Sequence, residues 1–159
     1  MILRKILLTT IMTIVVGTQS AKAQSAVYFF VDFRFWNSEY VFKVNGEDGF
    51  VLKPEKSSNR YFEDFGYMYN MCARKVIFQH PDSYVISVEC PKPNNGGTYQ
   101  ADVNLNLEDD ETYYVLCNAT MKRNFYMEVI PEKEGLKYLK KAQTSSKYTF
   151  NEDFVYENN

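Results

Sequence analysis

Histidine is nearly missing from this chain, with His80 the only one, and cysteine is sparse, limited to Cys72, Cys90 and Cys117. A zinc centre draws three or four Cys and His ligands at close spacing, and no such cluster occurs here. A Ser-His-Asp triad would have to recruit His80, which precedes Pro81 at a turn, and no Gly-x-Ser-x-Gly elbow accompanies it. A glycine-rich phosphate loop is absent too. Acids are plentiful, but no spacing singles out two of them as a hydrolytic pair. The expectation is no catalytic residue, no metal ligand and no cofactor.

Long apolar runs are also lacking. Ile6 to Val16 covers eleven residues, softened by Thr9, Thr10 and Thr13. A membrane-spanning helix needs about 20 apolar residues. The run follows Arg4 and Lys5 and precedes Ala21-Lys22-Ala23, with small residues where a signal peptidase reads. That is the pattern of a secretory signal peptide over residues 1–23. Cleavage is expected after Ala23, with Ser20 as the other position. No cysteine lies nearby to carry a lipid. Residues 24–142 then form one domain and residues 143–159 a polar C-terminal tail. The mature chain is expected in the periplasm or outside the cell, without a transmembrane segment. Loss of Arg4, Lys5 and Lys22 takes the formal net charge from −2 to −5. An acidic balance has no electrostatic pull on nucleic acid or anionic membrane.

Aromatic side chains are abundant: 12 Phe, 13 Tyr and one Trp, all after the leader. Burying one Phe or Tyr contributes on the order of 2 kcal/mol, so a core can form without metal or dense disulfides. Aromatics also raise strand propensity.

Period-two alternation is the main structural signal. In "AVYFFVDFRFW", Val27, Phe29, Val31, Phe33 and Phe35 share one face, and Tyr28, Phe30, Asp32, Arg34 and Trp36 the other. "EYVFKVNGEDGFVL" reads as a hairpin whose turn residues are Asn45-Gly46 and Asp48-Gly49; Asn and Gly both tolerate positive φ. "KPEKSSN" is read as a polar loop. "RKVIFQ" and "YVISVEC" flank Pro81-Asp82 as a second hairpin, and "PKPNNGG" is a loop. "YQADVNLNL" turns Val103, Leu105 and Leu107 inward. "TYYVLCN" aligns Tyr113, Val115 and Cys117, and "NFYMEVI" aligns Phe125, Met127 and Val129. About seven or eight such strands indicate an all-β fold, an antiparallel β-sandwich of Ig-like or transthyretin-like type. One short C-terminal helix is expected at "PEKEGLKYLKKA". Pro131 opens it, acids come early and lysines late, as the helix dipole favours. Leu136 and Leu139 share a side, and Gly135 weakens it by about 1 kcal/mol. The tail either stays flexible or adds an edge strand over Tyr148 to Phe154.

Glu108-Asp109-Asp110-Glu111 sits between two alternating strands and reads as a solvated hairpin tip. A calcium site is the alternative, but the spaced Asp-x-Asp-x-Asp-Gly pattern is missing. Asn118-Ala119-Thr120 fits the N-glycosylation pattern, which matters only in a host that glycosylates it. Cys72 and Cys90 fall opposite each other across the second hairpin and are the candidate disulfide, although a one-residue slip in register would part them. Cys117 then behaves as a small buried hydrophobe. The best binding candidate is the aromatic segment Tyr61, Phe62, Phe65, Tyr67, Met68 and Tyr69, because tyrosine offers rigid contact area with a polar tip. Trp36 with Tyr28 and Phe30 makes a second patch.

The stretch from Asn106 to Ala142 resembles a family of small exported bacterial β-sandwich domains of unknown function. The residues that carry the likeness are Leu107, Tyr113, Tyr114, Val115, Glu128, Val129, Glu132, Gly135 and Leu139. The family's glycine before the tyrosine pair is absent, and its Pro-Gly turn is Pro81-Asp82 here. A fainter likeness is to transthyretin-like and PEGA-type envelope sandwiches. The resemblance implies a sandwich spanning Ala26 to Ala142 and brings no catalytic residues. The function expected is a non-enzymatic binding or interaction module whose partner is a protein or glycan of the cell envelope. The alternative is a carbohydrate-active or other secreted hydrolase.

Overall fold

The computed structural model describes residues 23–34, 36–91, 96–119 and 125–158. The expected leader up to Lys22, Phe35, the middle of the "PKPNNGG" loop and Thr120 of the Asn118 triplet lie outside the described residues. Twelve strands and one helix occur among the described residues. The strands are β1 (Ser25–Val31), β2 (Tyr40–Val44), β3 (Glu47–Leu52), β4 (Lys56–Phe62), β5 (Gly66–Tyr69), β6 (Met71–Phe78), β7 (Ser83–Pro91), β8 (Thr98–Asn106), β9 (Thr112–Ala119) and β10 (Phe125–Ile130). Helix α1 (Glu132–Thr144) follows, then β11 (Tyr148–Phe150) and β12 (Phe154–Tyr156).

One sheet has the order β10-β9-β1-β6-β11, with β12 also on β6. A second has the order β3-β2-β7-β8, and β4 and β5 form a two-stranded sheet apart from both. The chain is therefore mostly β with one helix. It is not antiparallel throughout: β1 runs parallel to β9, and β11 and β12 run parallel to β6.

Alternation succeeds where one sheet face meets water. On β2, Tyr40, Phe42 and Val44 are buried; on β7, Tyr84, Ile86, Val88 and Cys90 are buried; the residues between are exposed or half-buried. The turn between β2 and β3 places Asn45 at φ 52 and Gly46 at φ 83, as a two-residue hairpin with two positive φ values requires. These inward residues join Val27, Phe29, Val31, Cys72, Val76, Val115 and Cys117 of the first sheet in one core.

Alternation fails where both faces are covered. Helix α1 lies on the outer face of the first sheet, over Phe30, Ala73, Tyr114, Leu116 and Tyr148. This is why Phe29 to Val31 and Tyr114 to Cys117 are continuously buried. Sheets covered on both faces read as unbroken apolar runs. The helix buries Gly135 and Ala142, with Tyr138 and Leu139 partly buried against the sheet. Leu136 is 49% exposed and does not belong to the packed side; Val129, expected inward with Met127, is 45% exposed, and Ile130 is buried instead.

Two expected hairpins are crossovers. β6 and β7 belong to different sheets, as do β8 and β9, so the segments at Pro81-Asp82 and at Glu108 to Glu111 carry the chain from one sheet to the other. The "KPEKSSN" loop instead enters β4. The tail is ordered onto β6 and is part of the domain. Asn151 ties it down: its backbone N donates to Ala73 O (2.8 Å), its Nδ2 donates to Lys53 O (2.9 Å), and its Oδ1 accepts from Lys53 N (2.7 Å). Arg74 adds a bond from Nε to Glu152 O (2.8 Å).

Gly135 has a packing role. A Cβ built there would lie 2.1 Å from Tyr114 Cγ. Gly135→Ala gains about 1 kcal/mol of helix propensity but overpacks the interface, which costs about 1–3 kcal/mol. The expected outcome is a net loss of up to about 2 kcal/mol, read as a lower urea midpoint at unchanged slope. A stabilised variant would show that α1 does not press on Tyr114.

Candidate functional site

The β4–β5 hairpin is the part of the chain that its own core does not use. No residue of either strand is buried, and isolated two-stranded sheets are marginal in water. Side-chain contacts hold it in shape. The register jumps from Lys56↔Tyr69 to Tyr61↔Tyr67, so Ser57 to Arg60 bulge out against Met68. Ser57 Oγ donates to Met68 O at 3.0 Å, and Arg60 N donates to Ser58 Oγ at 3.0 Å. Gly66 turns the chain at φ +80, with open space around its Cα. At the base, Asn70 N donates to Glu55 O at 2.8 Å.

The expected binding residues Tyr61, Phe62, Phe65, Tyr67 and Tyr69 all lie on this arm. Tyr61 and Tyr67 meet edge to face, with centroids 5.4 Å apart. Lys56 Nζ sits 3.9 Å from the Tyr67 ring centroid, and Arg60 Cζ lies 5.4 Å from that of Phe62. Such cation–π contacts contribute about 0.5–1 kcal/mol at exposed sites. They also occupy ring faces. Tyr61 remains 63% exposed and Phe65 39%.

The second aromatic patch does not exist as expected. Phe30 is fully buried, and Tyr28 stacks on Tyr114 at 5.6 Å, because α1 covers that face. Trp36 instead leaves β1 and stacks on Phe65, with centroids 4.5 Å apart and planes 28° from parallel. Trp36 is thus a member of the arm site that sequence reasoning placed elsewhere. Period-two counting from β1 assigned it, but β1 ends at Val31, so the phase carries no information at residue 36.

The remaining candidates separate. His80 is exposed. Glu108 to Glu111 are exposed, and the segment is pinned to the chain before and within β1 by Asp110 N donating to Gln24 O (2.9 Å) and Ala26 N donating to Glu111 O (3.0 Å). Among the described residues no group of three His, Cys, Asp or Glu side chains is placed to hold a metal ion. A groove along α1 is lined by Pro131, Lys133, Glu134, Lys137, Tyr138 and Lys141. Beside it, Asp32 Oδ1 accepts from both Lys141 Nζ and Tyr148 Oη at 2.7 Å, tying the end of β1 to α1 and β11.

Cys72, Cys90 and Cys117 are buried free thiols. The expected Cys72–Cys90 bridge is not formed, and its premise fails because β6 and β7 do not pair. Burial pushes the Cys72 and Cys90 thiols up to about 12, and raises Cys117 as well. A nucleophilic cysteine needs the opposite shift. Burial likewise raises Tyr40 and Tyr148, the latter also through Asp32. A folded-state value above the unfolded one contributes stability below the unfolded value, and that stability is lost as pH rises toward the folded value. For Cys72 and Cys90 the window runs from about 9.0 to about 12. Urea stability is therefore expected to fall from about pH 9 upward. With the protein kept reduced, replacing the three cysteines with alanine should flatten the curve between about pH 9 and 10, before tyrosines ionise; an unaltered slope in the reduced protein would refute the assignment.

Comparison with known proteins found no match to a family model, to a curated protein or to a solved structure.

Proposed function

We propose that this chain is an exported, non-enzymatic binding module of the cell envelope, and that the β4–β5 arm with Trp36 is its contact surface. One observation carries the reading: an ordered aromatic hairpin that buries none of its residues. Edge strands and exposed aromatics are normally blunted or covered; here they are displayed and held in place. The arm's composition matches binding surfaces, where Tyr, Trp and Arg supply most of the energy.

A protein partner of the envelope fits better than a glycan. Sugar stacking needs open ring faces, and Lys56, Arg60 and Trp36 each take one face of Tyr67, Phe62 and Phe65. The hydrolase reading gains no support from the ionisable groups, since those shifted are tyrosines and thiols kept neutral by burial. Export rests on the leader pattern of residues 1–23. The finer fold class, an Ig-like or transthyretin-like sandwich akin to the small exported family, draws support from the core shared by two sheets and from the fit of Gly135 against Tyr114.

The test compares wild type with Tyr61→Ala and Phe65→Ala, using an envelope extract and a glycan array. Neither residue is in the core, so both variants should melt within a few degrees of wild type. The expected result is at least a tenfold loss of capture from the extract and no glycan signal. Equal capture by all three proteins would remove the arm as the contact surface. Mass spectrometry of the secreted or periplasmic fraction should find a chain starting at Gln24; an intact leader would remove the export half.

A further inference from the structure

The two large sheets bring a pair of cysteines together that the linear order does not suggest. Ring contacts set which rows of the sheets face each other. Phe29 of β1 lies against Phe42 of β2, with centroids 5.5 Å apart. One inward step along each strand reaches Val31 and Tyr40. In the first sheet the Val31 row contains Cys72 on one side and Cys117 on the other. In the second, Val41↔Glu89 pairing sets Tyr40 beside Cys90. The lateral alignment follows from the sheet margins: β8 packs beside β10, and β3 beside β6 and β12. Within the strand orders this puts β2 over β1 and β6, and β7 over β9 and β1. Cys90 therefore stands over Cys117, while Cys72 lies toward the opposite margin.

We propose that Cys90 and Cys117 are a disulfide-forming pair that links the two sheets, and that Cys72 stays a thiol. Independent contacts agree. Cys90 adds to the upward shift of Cys117, whereas the charged group that bears on Cys72 is Arg74. Cys72 Sγ donates to Asn151 Oδ1 at 3.4 Å, which engages it with the tail. The hydroxyl of Tyr40, fully buried and without a hydrogen-bond partner among the described residues, is within electrostatic reach of all three sulfurs, Cys90 most of all. All three thiols are at most 1% exposed, so the bond forms while the chain is folding. Sγ of one cysteine, as thiolate, attacks an external disulfide, breaking its S–S bond and releasing one small thiolate; the second cysteine's thiolate then attacks the protein sulfur of the mixed disulfide and releases the other. Two S–H bonds are lost, one S–S bond forms, and the two electrons and two protons leave as the two thiols of the reduced oxidant. The proposed export supplies an oxidising compartment; the pairing itself rests on the fold alone.

The experiment refolds the purified chain with a low-molecular-weight disulfide, then alkylates it after denaturation and maps peptides by mass. That test does not depend on export. The expected result is a cross-link between the peptides holding Cys90 and Cys117, alkylation at Cys72 only, and a melting temperature about 10 °C above the reduced protein. Cys72→Ser should keep the cross-link, and Cys117→Ser should leave two alkylated thiols. Three alkylated cysteines in refolded wild type, or a cross-link that includes Cys72, would overturn the proposal.

Discussion

The fold depends on β1, which is dry on both faces from Phe29 to Val31. β1 has β6 and β9 as neighbours, its Val27, Phe29 and Val31 in the inter-sheet core, and Phe30 under α1. A one-residue slip of β1 would turn Val27 and Phe29 out of the core and bring the half-buried Ala26 and Tyr28 row into it. Its register thus aligns everything stacked above and below it. β6 and β9 both return to β1 after the chain has passed through the second sheet; β6 pairs with it antiparallel and β9 parallel.

Covering the outer face sets the demands on the C-terminal third. α1 comes so close to Tyr114 at Gly135 that a Cβ there would overlap the ring. The remaining edge of β6 would be an open row of backbone groups. The tail fills it with β11 and β12, and Asn151 bridges to Lys53, beyond the end of the second sheet. Asp32, held by Lys141 and Tyr148, joins strand, helix and tail at one carboxylate. The polar residues of the tail are therefore closures between layers.

The arm obeys different physics. It is held by ring stacking, cation–π contacts and a few bonds at its base, each small and largely exposed. Removing it would leave the core intact, whereas removing the tail would open an edge. That difference in dependence sets the arm apart from the layers that support the fold.

Much of this was legible in residues alone. Period-two patterns identified β2, β3, β7 and β8 because their outer faces are wet, and Asn45-Gly46 marked its turn through its backbone preference. Dipole-ordered charges marked α1. The aromatic segment from Tyr61 to Tyr69 was recognisable as a candidate, since its rings lack the alternation that burial imposes. Tertiary structure decided the rest. Whether Phe30 meets water or a helix, whether β6 and β7 pair or part company, and whether Trp36 joins Tyr28 or Phe65 all depend on which surfaces come together from far apart in the chain. Periodicity reports how a strand is solvated on its two sides; it says nothing about which distant strand supplies the cover.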